Sequence, residues 1–234
     1  MNILAIGAHP DDLEIYCYGT LAKYAKLGHH VFMCSVANGN LGHKELLPGE
    51  LAQVRRAEAK RSAELIGAVH MDFDIGDLQV NSRDVAQQEI LVEVIRIAQP
   101  DVIITHSPED YMPDHCETSK LVFYASFASS VPNYTTQSPC FDPVVPVFYM
   151  ETATGIGFVP EEYVDISDYL DIKLEAIRCH SSQARWLGDH DGFNMEEYAV
   201  VSGRYRGIQC GKQYAEGFRR CNVWPRVQSQ RFLP

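Results

Sequence analysis

Ile3-Leu4-Ala5-Ile6-Gly7-Ala8-His9-Pro10-Asp11-Asp12 lies at the start of a chain of 234 residues. A run without a single polar side chain leads directly into an imidazole and two carboxylates. A short, continuous apolar run reads as a strand buried on both faces, which is how strands of a parallel sheet look. A nucleotide-binding strand would be followed by Gly-x-Gly-x-x-Gly, because a pyrophosphate needs close backbone approach. His9, Asp11 and Asp12 occupy that corner instead. Three crowded titratable groups repel a pyrophosphate and attract a cation, and zinc takes nitrogen and oxygen ligands of this sort.

Working outward, strand and helix patterns alternate. Leu13 to Leu27 has helical spacing and stops at Gly28; His30 to Val36 is a second strand; Asn38 to Gly42 has turn chemistry. Glu50 to Ile66 is rich in Ala, Arg, Glu and Leu and ends at Gly67, as a helix does. Val69 to Phe73 reads as a strand, Asp84 to Ala98 as a helix closed by Pro100, and Asp101 to His106 as a buried strand with a polar end. His115 to Ser129 is read as a helix, Val145 to Met150 as a strand and Ile166 to Cys179 as a helix, with shorter pieces in the last fifth. This pattern predicts an α/β fold: a mostly parallel sheet with helices on both faces, in a single domain over residues 1–234.

Composition narrows the function. Lys+Arg 20 against Asp+Glu 31 gives a net charge of −11, which argues against a nucleic-acid partner. No apolar run approaches the ~20 residues of a membrane span, and no basic segment precedes the first apolar run, so no secretory signal is expected. The seven cysteines are odd in number and form no Cys-x-x-Cys pair, which predicts reduced thiols in a cytoplasmic protein. No Gly-x-Ser-x-Gly elbow and no Gly-x-x-x-x-Gly-Lys-Ser/Thr loop occurs, which disfavours a serine hydrolase and a P-loop NTPase.

In open parallel sheets ligands bind at the carboxyl ends of the strands. Two polar loops are expected there: the one after the first strand, and Ser107 to His115 after the Asp101–His106 strand. A catalytic zinc typically has three protein ligands and one open position. His9, Asp12 and His115 would supply two nitrogens and one oxygen, with Asp11 as general base. Spacing alone leaves a second reading level with this one: Asp11 or Asp12 as a helix cap, and Asp114-His115 as a helix start. His106, at a strand terminus, is the spare candidate. Cys116 adjoins His115 but reads as a structural thiol. The segment after Gln183 mixes Trp186, Tyr198, Tyr205, Tyr214 and Trp224 with Arg204, Arg206, Arg219 and Arg220. It would line a sugar pocket or a subunit contact, or simply pack.

At these residues the chain resembles the zinc-dependent de-N-acetylases of the PIG-L/LmbE-like superfamily. The first signature of that family, Ala-His-Pro-Asp-Asp, stands intact at Ala8 to Asp12, with an acid following at Glu14; the second, His-Pro-Asp-His, reads Met112-Pro113-Asp114-His115. Leu51 to Ala59 with Leu65-Ile66-Gly67 is similar to its Arg-x-x-Glu helix, Asp77-Leu78 to its Asp-Gly-x-Leu segment, and Lys173 to Gln183 to its Lys-x-x-Ala and His-x-Ser-Gln stretch. The similarity spans roughly residues 1–185. It implies a Rossmann-like fold, hydrolysis of an N-acetyl group from an amino sugar, a Zn2+ cofactor held by His9, Asp12 and His115, and Asp11 as base. It also implies a small-molecule N-acetylated sugar as partner, a homo-oligomer, and Arg55, Asp110 and His180 near the substrate. One departure stands out. The family histidine that stabilises the oxyanion is Met112 here, and a thioether donates no hydrogen bond. His106 is the expected replacement. The alternatives are a zinc amidase acting on a non-sugar substrate, and a metal-binding module without turnover.

Overall fold

The computed structural model describes residues 1–226. In chain order the elements are β1 (Asn2–Gly7), α1 (Asp12–Tyr16), α2 (Tyr18–Lys26), β2 (His30–Ala37), α3 (Pro48–Leu65), β3 (Val69–Ile75), α4 (Val85–Ala98) and β4 (Val102–Thr105). They continue with α5 (Pro113–Ala128), β5 (Val147–Tyr149), β6 (Glu162–Asp165), α6 (Leu170–Arg178), α7 (Ser181–Asp191), α8 (Met195–Cys210) and β7 (Ala215–Arg220). One seven-stranded sheet runs β3-β2-β1-β4-β5-β7-β6. β1 to β5 are parallel, and β7 is antiparallel to both β5 and β6. The α/β fold with a mostly parallel sheet is therefore what the sequence predicts.

The opening strand explains its own composition. β1 lies between β2 and β4, with Ile3 level with Val31 on one side and Val102 on the other. Ile3 and Ala5 pack with Leu13, Leu21, Met33 and Ile104 on one face. Leu4 and Ile6 pack with Cys34, Leu91, Ile103 and Leu121 on the other. From Ile3 to Gly7 no position of the strand meets water, so the sequence shows a run of apolar residues and no alternation.

Three differences from the sequence reading have physical causes. The helix expected over Leu13–Leu27 breaks at Cys17, whose φ −142 leaves the helical region. The apolar period continues across the break because Cys17 N–H still bonds Leu13 O and Leu21 N–H bonds Cys17 O. The last fifth holds a full helix, α8, with two interior glycines that lower helix propensity. A Cβ on Gly207 would stand 2.7 Å from the Gln213 carbonyl oxygen, so the close approach of the next segment requires glycine. β7 escapes an apolar-pattern reading because it buries Glu216, paired with Lys173 at 2.6 Å.

Candidate functional site

Strands run from β1 outward to β3, and then β4 starts on the other side of β1. A reversal of this kind opens a crevice at the carboxyl ends of the two strands. The chain fills it from both sides. After β1 it turns tightly: Asp12 N–H donates to His9 O at 3.3 Å, and His9 N–H donates to Asp12 Oδ2 at 2.6 Å. Asp11 sits at φ 126, ψ −23, a positive-φ backbone that costs a non-glycine residue on the order of 1–3 kcal/mol. Its side chain makes no cap to α1, and Asp12 turns back to the His9 amide, so the capping reading does not describe this corner. After β4, Asp114 in the first turn of α5 likewise looks outward, accepting from Leu78 N–H at 2.7 Å and facing His9 Nε2 at 3.1 Å.

Each histidine is held by one nitrogen and offers the other. His9 Nε2 is held by Asp114, and its Nδ1 lies 3.6 Å from Asp12 Oδ2. His115 Nδ1 is held by Asp110 at 3.1 Å, and its Nε2 lies 3.3 Å from Asp12 Oδ1. That Nε2 is buried and has no hydrogen-bond partner. One donor atom from each of His9, Asp12 and His115 falls within 4.8 Å of the others. Carboxylates that fix the far nitrogen of a ligating histidine are the usual outer support of metal sites. The set of donors fits a divalent cation. Charge says the same. Burial pulls the histidines toward neutrality, yet Asp114 and Asp12 push His9 up to about 10, and Asp12 and Asp110 push His115 up to about 9. The cluster of carboxylates demands positive charge at its centre.

A cavity of about 350 Å³ opens over these groups, with His9, Asp11, Asp12, His115, Arg55 and Met112 in its lining. Arg55, 2% exposed, holds Asp11 Oδ1 at 3.1 Å and bonds the carbonyls of Pro10 and Gly39. Burial raises the Asp11 carboxyl to about 6 against the pull of Arg55. Arg55 thus reaches the lining, but it is engaged with Asp11.

Three expected site residues lie elsewhere. His106 is fully buried, its ring stacked 3.8 Å from His115 and its Nε2 3.0 Å from Asp12 Oδ2; it lies beneath the cluster and does not line the cavity. It therefore faces the underside of Asp12, where the Met112 departure needs a group on the cavity side. Asp110 is closed off by His115, Met112 N–H and Ala153 N–H, so it orients His115 and is not in the cavity lining. His180 is also fully buried, 3.3 Å from Glu14, outside the lining. His106 and Asp110 contact Asp12 and His115 from their buried side, whereas His180 faces Glu14 away from the cluster. A second triad, His106, Asp110 and His115, also has donor atoms within 4.8 Å, but His106 and Asp110 have no access to the cavity.

Sequence reasoning missed Asp114 as the partner of His9, and it missed Gln183, Leu187 and Tyr16 in the lining. Asp114 stood inside the second signature and was legible there as more than a helix start. Of the aromatic and basic residues after Gln183, Arg206 is buried and pairs with Glu151, Arg219 pairs with Glu109, and Trp224, Tyr205 and Arg204 are exposed. None of the nine named there enters the cavity lining.

A seven-stranded α/β sheet with its polar crevice at the β1–β4 switch point defines the class. Within it, the family described as "PIG-L: GlcNAc-PI de-N-acetylase" matches residues 4–126, and the chain belongs to that family. A diacetylchitobiose deacetylase of Thermococcus kodakarensis is 31% identical over 230 residues, covering 93% of this chain and 82% of the relative. The crystal structure of GalB, the 4-carboxy-2-hydroxymuconate hydratase of Pseudomonas putida KT2440, superposes with TM-score 0.83 at 26% identity, over 98% of this chain and 99% of that one. An N,N'-diacetylchitobiose deacetylase of Pyrococcus horikoshii superposes with TM-score 0.81 at 27% identity, over 93% and 82%. Among the described residues no helix is long and apolar enough to cross a membrane.

Proposed function

We propose that this protein hydrolyses the N-acetyl group of an uncharged amino sugar, with His9, Asp12 and His115 holding a divalent cation, foremost zinc, and Asp11 moving the protons. The observation that carries this reading is the convergence of Nδ1 of His9, Nε2 of His115 and both oxygens of Asp12 beside Asp11 in one cavity. A bound divalent cation supplies Lewis-acid polarisation and lowers the pKa of a water toward neutrality. Asp110 and Asp114 keep the two imidazoles oriented. Asp11 Oδ1 is held by Arg55, which leaves Oδ2 to accept a proton from the attacking water and return it to the departing amine. A carboxyl raised to about 6 suits both halves of that exchange near neutral pH. His106 beneath Asp12 acts as a support for the cluster.

The likeness to GalB over nearly the whole of both chains supports a second reading, addition of water to a carboxylate-bearing substrate. Met112 fits that reading as well, since no histidine stands where the deacetylase motif has one. Charge favours the first. Among the described residues Arg55 is the lone Lys or Arg in the cavity lining, and Asp11 engages it, while Asp12, Asp77 and Asp191 also line the cavity. A substrate bearing several carboxylates meets like charge there.

The test is acetate release from N,N'-diacetylchitobiose and from N-acetylated monosaccharides, with the zinc-loaded and chelated protein. Metal-dependent acetate release is the expected result. Zinc bound in stoichiometric amount with no acetate from any sugar would sink the deacetylase reading. Water addition to an unsaturated carboxylate under the same conditions would establish the second, and inertness toward both would leave a metal-binding module.

A further inference from the structure

Arg55 holds Asp11, and one helical turn further along α3 stands Glu58, which is 1% exposed. Its carboxylate accepts from Ser181 Oγ at 3.0 Å, Ser182 N–H at 2.9 Å and Ser182 Oγ at 2.6 Å. These groups are the first turn of α7, 124 residues away in sequence. The residue that should cap α7, His180, makes no side-chain cap of its own. The orphan amides of a helix start need an acceptor, and Glu58 provides it from another helix. Among the described residues no cation lies within salt-bridge distance of Glu58. A buried carboxylate without a counter-ion is costly; the positive end of a helix offsets part of that cost.

What α7 does makes the arrangement meaningful. It presents Gln183, Leu187 and Asp191 to the cavity that His9 and His115 also line. None of its 11 residues is buried. Its apolar anchor is the partly buried Leu187, which packs against the small cluster of Ile15, Ile177 and Met195, a narrow stripe for a helix of this length. Polar contacts fix its ends: Glu58 at the start, with Arg61 Nη2 on the Cys179 carbonyl nearby, and a left-handed Gly192 at the stop.

We propose that Glu58 is the positioning residue for the α7 side of the cavity, so that α3 sets the proton-carrying Asp11 through Arg55 and the substrate-facing helix through Glu58. The kinetic part of this inference rests on the deacetylase reading; the structural part does not. Loss of Glu58 leaves the β1–β4 cluster untouched and displaces the surface that the sugar meets.

The experiment compares the full-length protein with Glu58→Ala, Glu58→Gln and the double variant Ser181→Ala/Ser182→Ala. Amide hydrogen exchange is followed with and without zinc, alongside kcat and KM for N,N'-diacetylchitobiose. In Glu58→Ala the α7 amides should exchange at least ~tenfold faster while those of α5 stay as they were, because local opening follows local contacts. KM should rise roughly tenfold with kcat held within about twofold, the mark of lost binding that is uniform in ground and transition state. Glu58→Gln, which keeps one acceptor oxygen, should restore part of the protection. Unchanged α7 exchange would overturn the proposal, as would equal acceleration in α5, or a fall in kcat at constant KM. If Glu58→Ala does not fold, the serine double variant decides the matter by the same comparison. A wild-type protein that releases no acetate would remove the deacetylase reading alone, since the exchange data still judge Glu58.

Discussion

The two sides of the cavity are built on different principles. One side is the β1–β4 corner, where Asp11, Asp12, Asp114 and His115 are all buried and are flanked by strands at the centre of the sheet. The other is α7, none of whose residues is fully buried: Leu187 leans on a small apolar cluster, and polar contacts hold the ends. Dense packing leaves the first side one arrangement. The second side is set by contacts worth individually little, so it can be retuned without disturbing the corner. The proposed chemistry and the proposed selectivity are therefore mechanically separable, and variants on either side test that separation.

The largest effect is expected from Asp11→Asn. The amide keeps the size and the Arg55 contact but carries no proton. Acetate release should fall ~10²- to 10⁴-fold, the usual contribution of a positioned acid–base group. Zinc content, measured by metal analysis, should stay at the wild-type value because His9, Asp12 and His115 are unchanged. Unaltered turnover would remove Asp11 from the mechanism.

Asp110→Asn probes the support below the corner. Asp110 accepts from the amides of Met112 and Ala153 and faces His115 Nδ1. Zinc affinity should drop ~10- to 100-fold, as for other outer partners of ligating histidines. A competitive chelator titration reads it directly. Equal affinity would mean that His115 keeps its orientation without the carboxylate.

How much of this was legible in the chain follows the same division. The corner was readable because its strands are purely apolar and its turns abruptly polar: Ile3–Gly7 into His9, and Asp101–His106 into the loop that ends at His115. That His9, Asp12 and His115 come together follows from the switch point in the strand order. Which carboxylate serves which nitrogen was not readable. His9 takes Asp114 from 105 residues away, and a spacing of that kind carries no local signal. The α7 side was illegible for a further reason. Glu58 stands in the Arg-x-x-Glu helix and Ser181-Ser182 in the His-x-Ser-Gln stretch, yet nothing in either says that the two meet, and Glu216 looks like an ordinary charged residue of a strand. Both glutamates are buried by partners that lie far off in the sequence. His106, expected to replace the family histidine, and Asp110 and His180, expected near the substrate from the resemblance, are buried and lie outside the cavity lining.

Met112→His asks whether the corner tolerates the donor that the deacetylase motif carries. Met112 lines the cavity, so an imidazole there has room on the substrate side. Turnover should be undiminished, and it should rise if the oxyanion gains a donor, an interaction worth up to ~10²- to 10³-fold in other hydrolases. A collapse in kcat would show that the cavity is shaped around the thioether, and would strengthen the reading as a hydratase.

The smallest effect belongs to the outer brace of the corner. Glu117, on the helix that carries His115, accepts from Lys120 Nζ at 2.6 Å and Ser82 N–H at 2.8 Å. Those bonds hold its carboxyl down to about 2. A carboxyl whose folded pKa lies below its unfolded value stabilises the fold above the unfolded pKa, and that stability drains away as pH falls through the folded value. The window here runs from the ordinary glutamate range, near 4.5, down to about 2. Glu117 is part-exposed and its partner Lys120 is exposed, so solvent screening keeps the contribution to no more than ~0.5 kcal/mol. Glu117→Gln should therefore lower the midpoint of urea unfolding slightly at pH 7 and not at all at pH 2. A larger loss at pH 7, accompanied by weaker zinc binding, would mean that the brace transmits to His115 and that the corner is less self-contained than its packing indicates.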